Sequence, residues 1–161
     1  NASTAVTIPN HAEGGAPNPR AKHTEHGASS DTGIQSHNGS GTIEDNTDNG
    51  IARGVAGTDF HGAITGNTID AGFVGVTLTD STGTGSDNWI KAVFAGFTLS
   101  GSSPDVVDNR IEGSVTGVSV AGAGSAPTFS GNELCGTTRS VAASDGATEP
   151  DLSGLGDCAE A

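Results

Sequence analysis

Positive charge is scarce in this 161-residue chain, with 6 Lys and Arg against 19 Asp and Glu and a formal charge of −13. Only Lys22 and Lys91 are lysines. No basic patch is available to neutralise phosphates, so nucleic acid is not an expected partner, and neither is an anionic membrane surface. Methionine is absent and hydrophobic residues make up 32% of the chain, a share too low for an ordinary compact globule. No apolar run approaches the ~18 residues of a membrane span, and no charged start leads into an apolar stretch as in a signal peptide. The chain therefore reads as soluble, without membrane insertion. Two cysteines, Cys135 and Cys158, permit one disulfide. That bond would need an oxidising compartment and sets the expectation of a secreted, extracellular or cell-surface protein.

What the chain has in quantity is glycine, 26 of 161 residues, and a fixed period. Residues 64–79 and 106–121 superimpose without a gap at a shift of 42, twice 21. Sliding by 21 aligns Asn46, Asn67, Asn88 and Asn109, and a step of 23 then reaches Asn132. Two residues after each Asn stand Ile69, Ile90, Ile111 and Leu134; eight residues after stand Gly54, Gly75, Gly96, Gly117 and finally Ser140. Val55, Val76, Phe97, Val118 and Val141 follow, and Leu78, Leu99 and Val120 complete the pattern. Self-similarity at a fixed period marks a stacked architecture. Apolar alternation of period two, broken by Gly and Asn every few residues, predicts very short strands near 62–65, 68–71 and 74–79, and no helices.

Each repeat is then one turn of a three-sided coil, and stacking at the strand spacing of ~4.8 Å buries a column of aliphatics along the axis. An inward Asn suits such a stack because its amide both donates and accepts along it. The combination resembles the right-handed parallel β-helix repeat family, which includes pectin-degrading enzymes, virus tailspikes and NosD-like periplasmic proteins. The expected fold is all-β, a right-handed parallel β-helix of about six rungs of 21–23 residues. Residues 1–30, with Pro9, Pro17 and Pro19 and no visible register, read as an irregular cap or linker, and 31–161 as the β-helix domain. Two positions break the pattern. Asp48 stands in the Ile69, Ile90, Ile111 column and predicts a bulged rung, and Gly85 replaces an aliphatic.

Three places after the ladder Asn, one column reads Asn49, Asp70, Lys91, Glu112, Cys135 and Cys158. Neighbours in a column lie within disulfide reach, so Cys135 and Cys158 are expected to bond, the competing reading being two free, metal-binding thiols. Asp70, Lys91 and Glu112 read as a charge ladder more readily than as a catalytic lysine in an acidic setting. Trp89 and Arg110 share another column, followed by Glu133. They could grip a sugar, or form an exposed cation–π and salt-bridge stack. Asp87 and Asp108, one rung apart, could join such a site as an acidic pair, although Asp beside Asn is also ordinary turn chemistry. Residues 45–50 look like the start of a calcium loop but lack its later acidic ligands. His11, His23, His26 and His37 crowd the N-terminal part, with His61 in a turn, and read as surface histidines before metal ligands.

Carbohydrate enzymes of this resemblance carry clustered acids in a cleft on an outer sheet. The Gly-Val strands are here expected to expose Gly54, Ala56 and Thr58, then Gly75, Thr77 and Thr79, then Gly96, Thr98 and Ser100, then Gly117, Ser119 and Ala121. That face offers no acid, base or nucleophile array. The sequence thus supports a non-catalytic, extracellular structural or adhesive protein, with no catalytic residues and no cofactor. Self-association or a polysaccharide is its expected partner. The alternative is a carbohydrate-active enzyme or carbohydrate-binding module, a polysaccharide lyase or glycoside hydrolase if catalytic.

Overall fold

A computed structural model describes residues 4–8, 20–22, 25–26 and 31–158, with side chains described from Asp31 to Cys158. The chain winds as a parallel β-solenoid of about six turns, with no helix among the described residues. One sheet stacks the short strands Thr42–Glu44, Ala63–Thr65, Thr84–Ser86, Asp105–Val107 and Thr128–Ser130, and includes the strand Arg20–Lys22. A second begins just beyond each ladder Asn and contains Trp89–Ala92, Arg110–Glu112, Asn132–Cys135 and Leu155–Asp157. A third carries the Gly-Val motif in Thr32–Gly39, Ala95–Ser100, Thr116–Ala121 and Arg139–Ser144. In two rungs the second and third strands run on without a break, as Thr47–Phe60 and Thr68–Thr79.

The register follows the sequence repeat. Trp89 pairs with Thr68 on one side and Arg110 on the other, each 21 residues away, and Arg110 pairs with Glu133 at 23. Pairing also reaches N-terminal to the residues where the repeat is legible: Arg20 lies opposite Thr42 and Glu25 opposite Thr47, both at an offset of 22. Inside the coil, Ile43, Ile64, Ile69, Ile90, Phe97, Val106, Ile111 and Val118 are almost wholly buried. Each rung contributes only a few side chains because its neighbours supply the rest, so a low overall hydrophobic content suffices. Gly85 leaves a gap in one column that the Phe97 ring lies beside, 3.1 Å from where a Cβ would stand.

Among the described residues, the seven non-glycine residues with positive φ fall in two columns at the corners. Asp45, Asp87 and Asp108 alternate with Gly66 and Gly131 at φ of 51 to 65°, directly before the ladder Asn. Asn38, Asp59, Asp80 and Asp145 occupy the second column with Gly101 and Gly122. Asp and Asn reach this left-handed region at a lower cost than other side chains, which is why the corners are acidic.

The Gly-Val sheet requires one correction. Gly54, Gly75, Gly96 and Gly117 are not on the outer face but buried. A Cβ on Gly75 would lie against Ile90 Cγ2 and 2.7 Å from the Gly96 carbonyl oxygen, and Gly54 and Gly96 meet Ile69 and Ile111 in the same way. Glycine recurs because the isoleucine two places after the ladder Asn of the next rung fills its side-chain space. Ala56, Thr77, Thr98 and Ser119 remain half-exposed, in keeping with the expected bland outer surface.

Asp48 occupies that isoleucine column in the first full rung, buried with 1% exposure and directed over Gly33 as Ile69 is over Gly54. The strand around it pairs irregularly at Asn49, Ile51 and Arg53, the bulge that the sequence predicts. Desolvation pushes its carboxyl up from 3.8 to about 7. A raised carboxylate pKa in the fold means that Asp48 is tolerated fully below the unfolded value and destabilises progressively as pH rises through about 7. Asp48→Ile is expected to stabilise the protein on the order of 3 kcal/mol at pH 8 and by much less at pH 4. Urea midpoints of the two proteins should therefore diverge between pH 4 and pH 8; parallel curves would refute the assignment.

Candidate functional site

The five ladder asparagines stack along the coil. Asn46, Asn67, Asn88 and Asn109 each donate from Nδ2 to Oδ1 of the next, at 2.8 to 3.0 Å, ending on Asn132. The same Oδ1 atoms accept from the backbone N–H of the preceding Asn. Nδ2 also donates to the carbonyl of the central residue of a short strand, Ile43 for Asn67, Ile64 for Asn88, Gly85 for Asn109 and Val106 for Asn132. From Asn67 to Asn132 the side-chain amide of each member is thereby used internally, so this column is structure and offers nothing to a ligand.

A second ladder was not anticipated from the sequence. Ser81 Oγ accepts from the Phe60 N–H and Ser102 Oγ from the Ser81 N–H, both at 3.0 Å, while each hydroxyl donates to a carbonyl two residues back. Ser125 stands in the same corner, donating to Ala121. The 21-residue step from Ser81 to Ser102 was available as a signal, but serine is too common in this chain for one coincidence to stand out.

Cys135 and Cys158 form the expected disulfide across the last two rungs, with Cα atoms 5.1 Å apart. Asp87 and Asp108 lie where expected, one rung apart and exposed, but in the left-handed corner column at φ of 54 and 51°. Their backbone role accounts for their presence. The calcium-loop reading does not survive, because Asp48 points into the core while Asp45 sits exposed at a corner. The side chains of His11, His23 and His26 lie outside the described residues. His37 is exposed; His61 bonds through Nε2 to Asp59 at 3.1 Å and through Nδ1 to Thr82 at 2.7 Å, on the surface.

The outer face of the second sheet is the chemically varied surface. Trp89 and Arg110 occupy adjacent rungs of one column, as expected, but the guanidinium is held by carboxylates: Nε to Glu112 at 2.5 Å and one terminal nitrogen to Glu133 at 3.2 Å. The hydrogen bond from Arg110 holds the Glu112 carboxyl below the usual range, aided by the Trp89 indole N–H and by the charges of Arg110 and Lys91, and against partial desolvation. Asp70, Lys91 and Glu112 stand in register in the next column, the alternating ladder read from the sequence. A shallow pocket of about 200 Å³ opens between Thr68, Asp70, Trp89 and Lys91, with Ile69 at its base.

Sequence reasoning missed the rest of this surface. At the far end of the same strands Phe73 and Phe94 stack with ring centroids 4.9 Å apart and planes inclined by 9°. They are exposed to 49% and 44%, beside Val93 and Val115, while Trp89 is exposed to 52%. Phe73 and Phe94 are 21 residues apart, yet at a corner the period-two rule no longer says which way a side chain points. Arg53 and Arg139 are exposed in the adjoining column, with Val74, Ala95 and Thr116 between them. The three most exposed aromatics among the described residues thus lie on or beside one face with Lys91 and Arg110, whereas the strand Arg20–Lys22 belongs to the short-strand sheet.

A family profile described as "Periplasmic copper-binding protein (NosD)" matches residues 7–150. No curated protein and no solved structure matches the chain. Copper sites draw on thiolate and thioether sulfur or on imidazole. The chain has no methionine, and Glu133, Cys135 and Cys158, the one cluster of three potential ligands among the described residues, has both sulfurs committed to the disulfide. The described residues do not fit copper.

Proposed function

The chain belongs to the NosD family, whose profile spans most of its length, and we propose that it is a non-catalytic, extracellular β-helix with a structural or adhesive role, of which we favour the adhesive one. The disulfide is consistent with a location outside the cytoplasm. Its function is to hold one surface rigidly toward a polymer or cell surface while an acidic exterior keeps the rod soluble. The observation that carries this reading is the gathering of the exposed aromatics Trp89, Phe73 and Phe94 along the outer face of the second sheet. Natural proteins seldom leave such rings in water without a use for them. Catalysis is disfavoured because the exposed acids Asp59, Asp80, Asp87 and Asp108 are placed by corner geometry and not by a cleft.

The test is a polysaccharide panel scored for retention and for turnover together. Binding without new reducing ends or unsaturated products is the expected result. Depolymerisation that disappears in Asp87→Asn or Asp108→Asn would instead make the protein a carbohydrate-active enzyme.

A further inference from the structure

Resting on the adhesive reading, we propose that the outer face of the second sheet binds an uncharged polysaccharide, with Trp89 as the stacking platform for one sugar ring and Asp70 and Lys91 as partners of its hydroxyls. Three observations converge on this ligand. First, the pocket of about 200 Å³ has an aromatic wall and a mixed polar rim, in which Asp70 accepts, Lys91 donates and Thr68 can do both. A sugar presents an apolar ring face together with hydroxyls that need both donors and acceptors, and this lining answers both needs.

Second, the charges on the face balance closely. Lys91 and Arg110 stand among Asp70, Glu112 and Glu133, and Arg110 is already satisfied by the two glutamates. No cation cluster is free to receive carboxylate or sulfate groups, and the acidic exterior repels polyanions. An uncharged chain meets neither obstacle.

Third, the aromatic groups are arranged for an extended ligand. Trp89 and Phe94 belong to one rung and lie five residues apart, at most ~16 Å at ~3.3 Å per residue. A polymer laid along that strand meets Trp89, passes Lys91 and reaches the Phe73–Phe94 stack. A single small molecule would touch only one end.

Trp89 is the sole tryptophan and the chain has no tyrosine, so intrinsic emission excited at 295 nm reports this site alone. The intact protein is titrated with a soluble β-glucan, a galactomannan, dextran and polygalacturonate, following emission in parallel with retention on gels containing each polymer. At least one uncharged polymer is expected to shift or quench the emission with a saturable curve. Trp89→Ala should weaken retention at least tenfold, and Asp70→Asn or Lys91→Gln about threefold each. These side chains are exposed, and unchanged urea midpoints will confirm intact folding.

Retention on polymer with silent emission and undiminished binding by Trp89→Ala would overturn this site while leaving the adhesive reading in place. A shift produced by soluble oligosaccharides without retention on any polymer would keep the site and overturn the adhesive role. Preference for polygalacturonate would overturn the assignment to an uncharged ligand. A concentration-dependent dimer lost in Phe94→Ser, with no response to sugar, would give the face to a second copy of the chain.

Discussion

Asn88→Ala is expected to destabilise the protein by ~3–5 kcal/mol, from a residue that touches no ligand. Its Oδ1 accepts from both the backbone N–H and the side-chain amide of Asn67, and its Nδ2 donates to Asn109 and to the Ile64 carbonyl. Alanine leaves the Asn67 N–H buried without its acceptor, removes the link to Asn109 and opens a void. The Asn67 side chain keeps its bonds to the Ile43 and Thr65 carbonyls, which limits the damage. Leucine would fill the volume and still leave the N–H stranded, so Asn88→Leu is expected to lose nearly as much. Thr77→Ala, on the half-exposed outer surface, should fall within ~0.5 kcal/mol of the parent. Denaturant midpoints at constant slope measure all three. A loss below ~1 kcal/mol for Asn88→Ala would mean that the ladder is bystander to the stack.

Gly75→Val is expected to cost ~4 kcal/mol or more, or to prevent folding outright. The obstruction comes from the next rung: Ile90 Cγ2 occupies the place of the new Cβ, and the Gly96 carbonyl stands 2.7 Å from it. Backbone cannot yield there without parting the two strands. The milder Gly75→Ala keeps the prediction testable, and its loss should be less than additive with Ile90→Ala, because the double variant removes one of the two collisions. Ser140 is the natural control. It stands in the glycine column of the last such rung and is exposed; the next residue in the isoleucine column is Asp157, paired with Leu134, instead of an isoleucine. Ser140→Val should be tolerated within ~1 kcal/mol. Equal losses at positions 75 and 140 would show that glycine serves the strand backbone and not the isoleucine above it.

These two columns locate what the family match leaves open. The NosD match spans residues 7–150, a range that contains the repeat, and the repeat is built from Asn, Ile, Gly and Val positions that are spent on stacking. Residues available for recognition are those that vary from rung to rung on the outer surface: Thr68, Trp89, Arg110 and Glu133 in one column, and Asp70, Lys91 and Glu112 in another. A solenoid can thus keep its scaffold while changing its surface one rung at a time.

From the amino-acid order alone, the period of 21, the stacking of Asn46 through Asn132, the neighbouring of Cys135 and Cys158 and the bulge at Asp48 could all be read, because each depends only on which residues share a column. Direction at the corners could not. Gly54, Gly75, Gly96 and Gly117 continue the outward alternation on paper, yet the fold buries them under the isoleucines, and it turns Phe73, Phe94 and Val115 out to solvent. The reason is that alternation holds only while the backbone stays extended; where the chain bends between sheets, the side-chain direction is set by contact with the adjacent rung, which no single repeat contains.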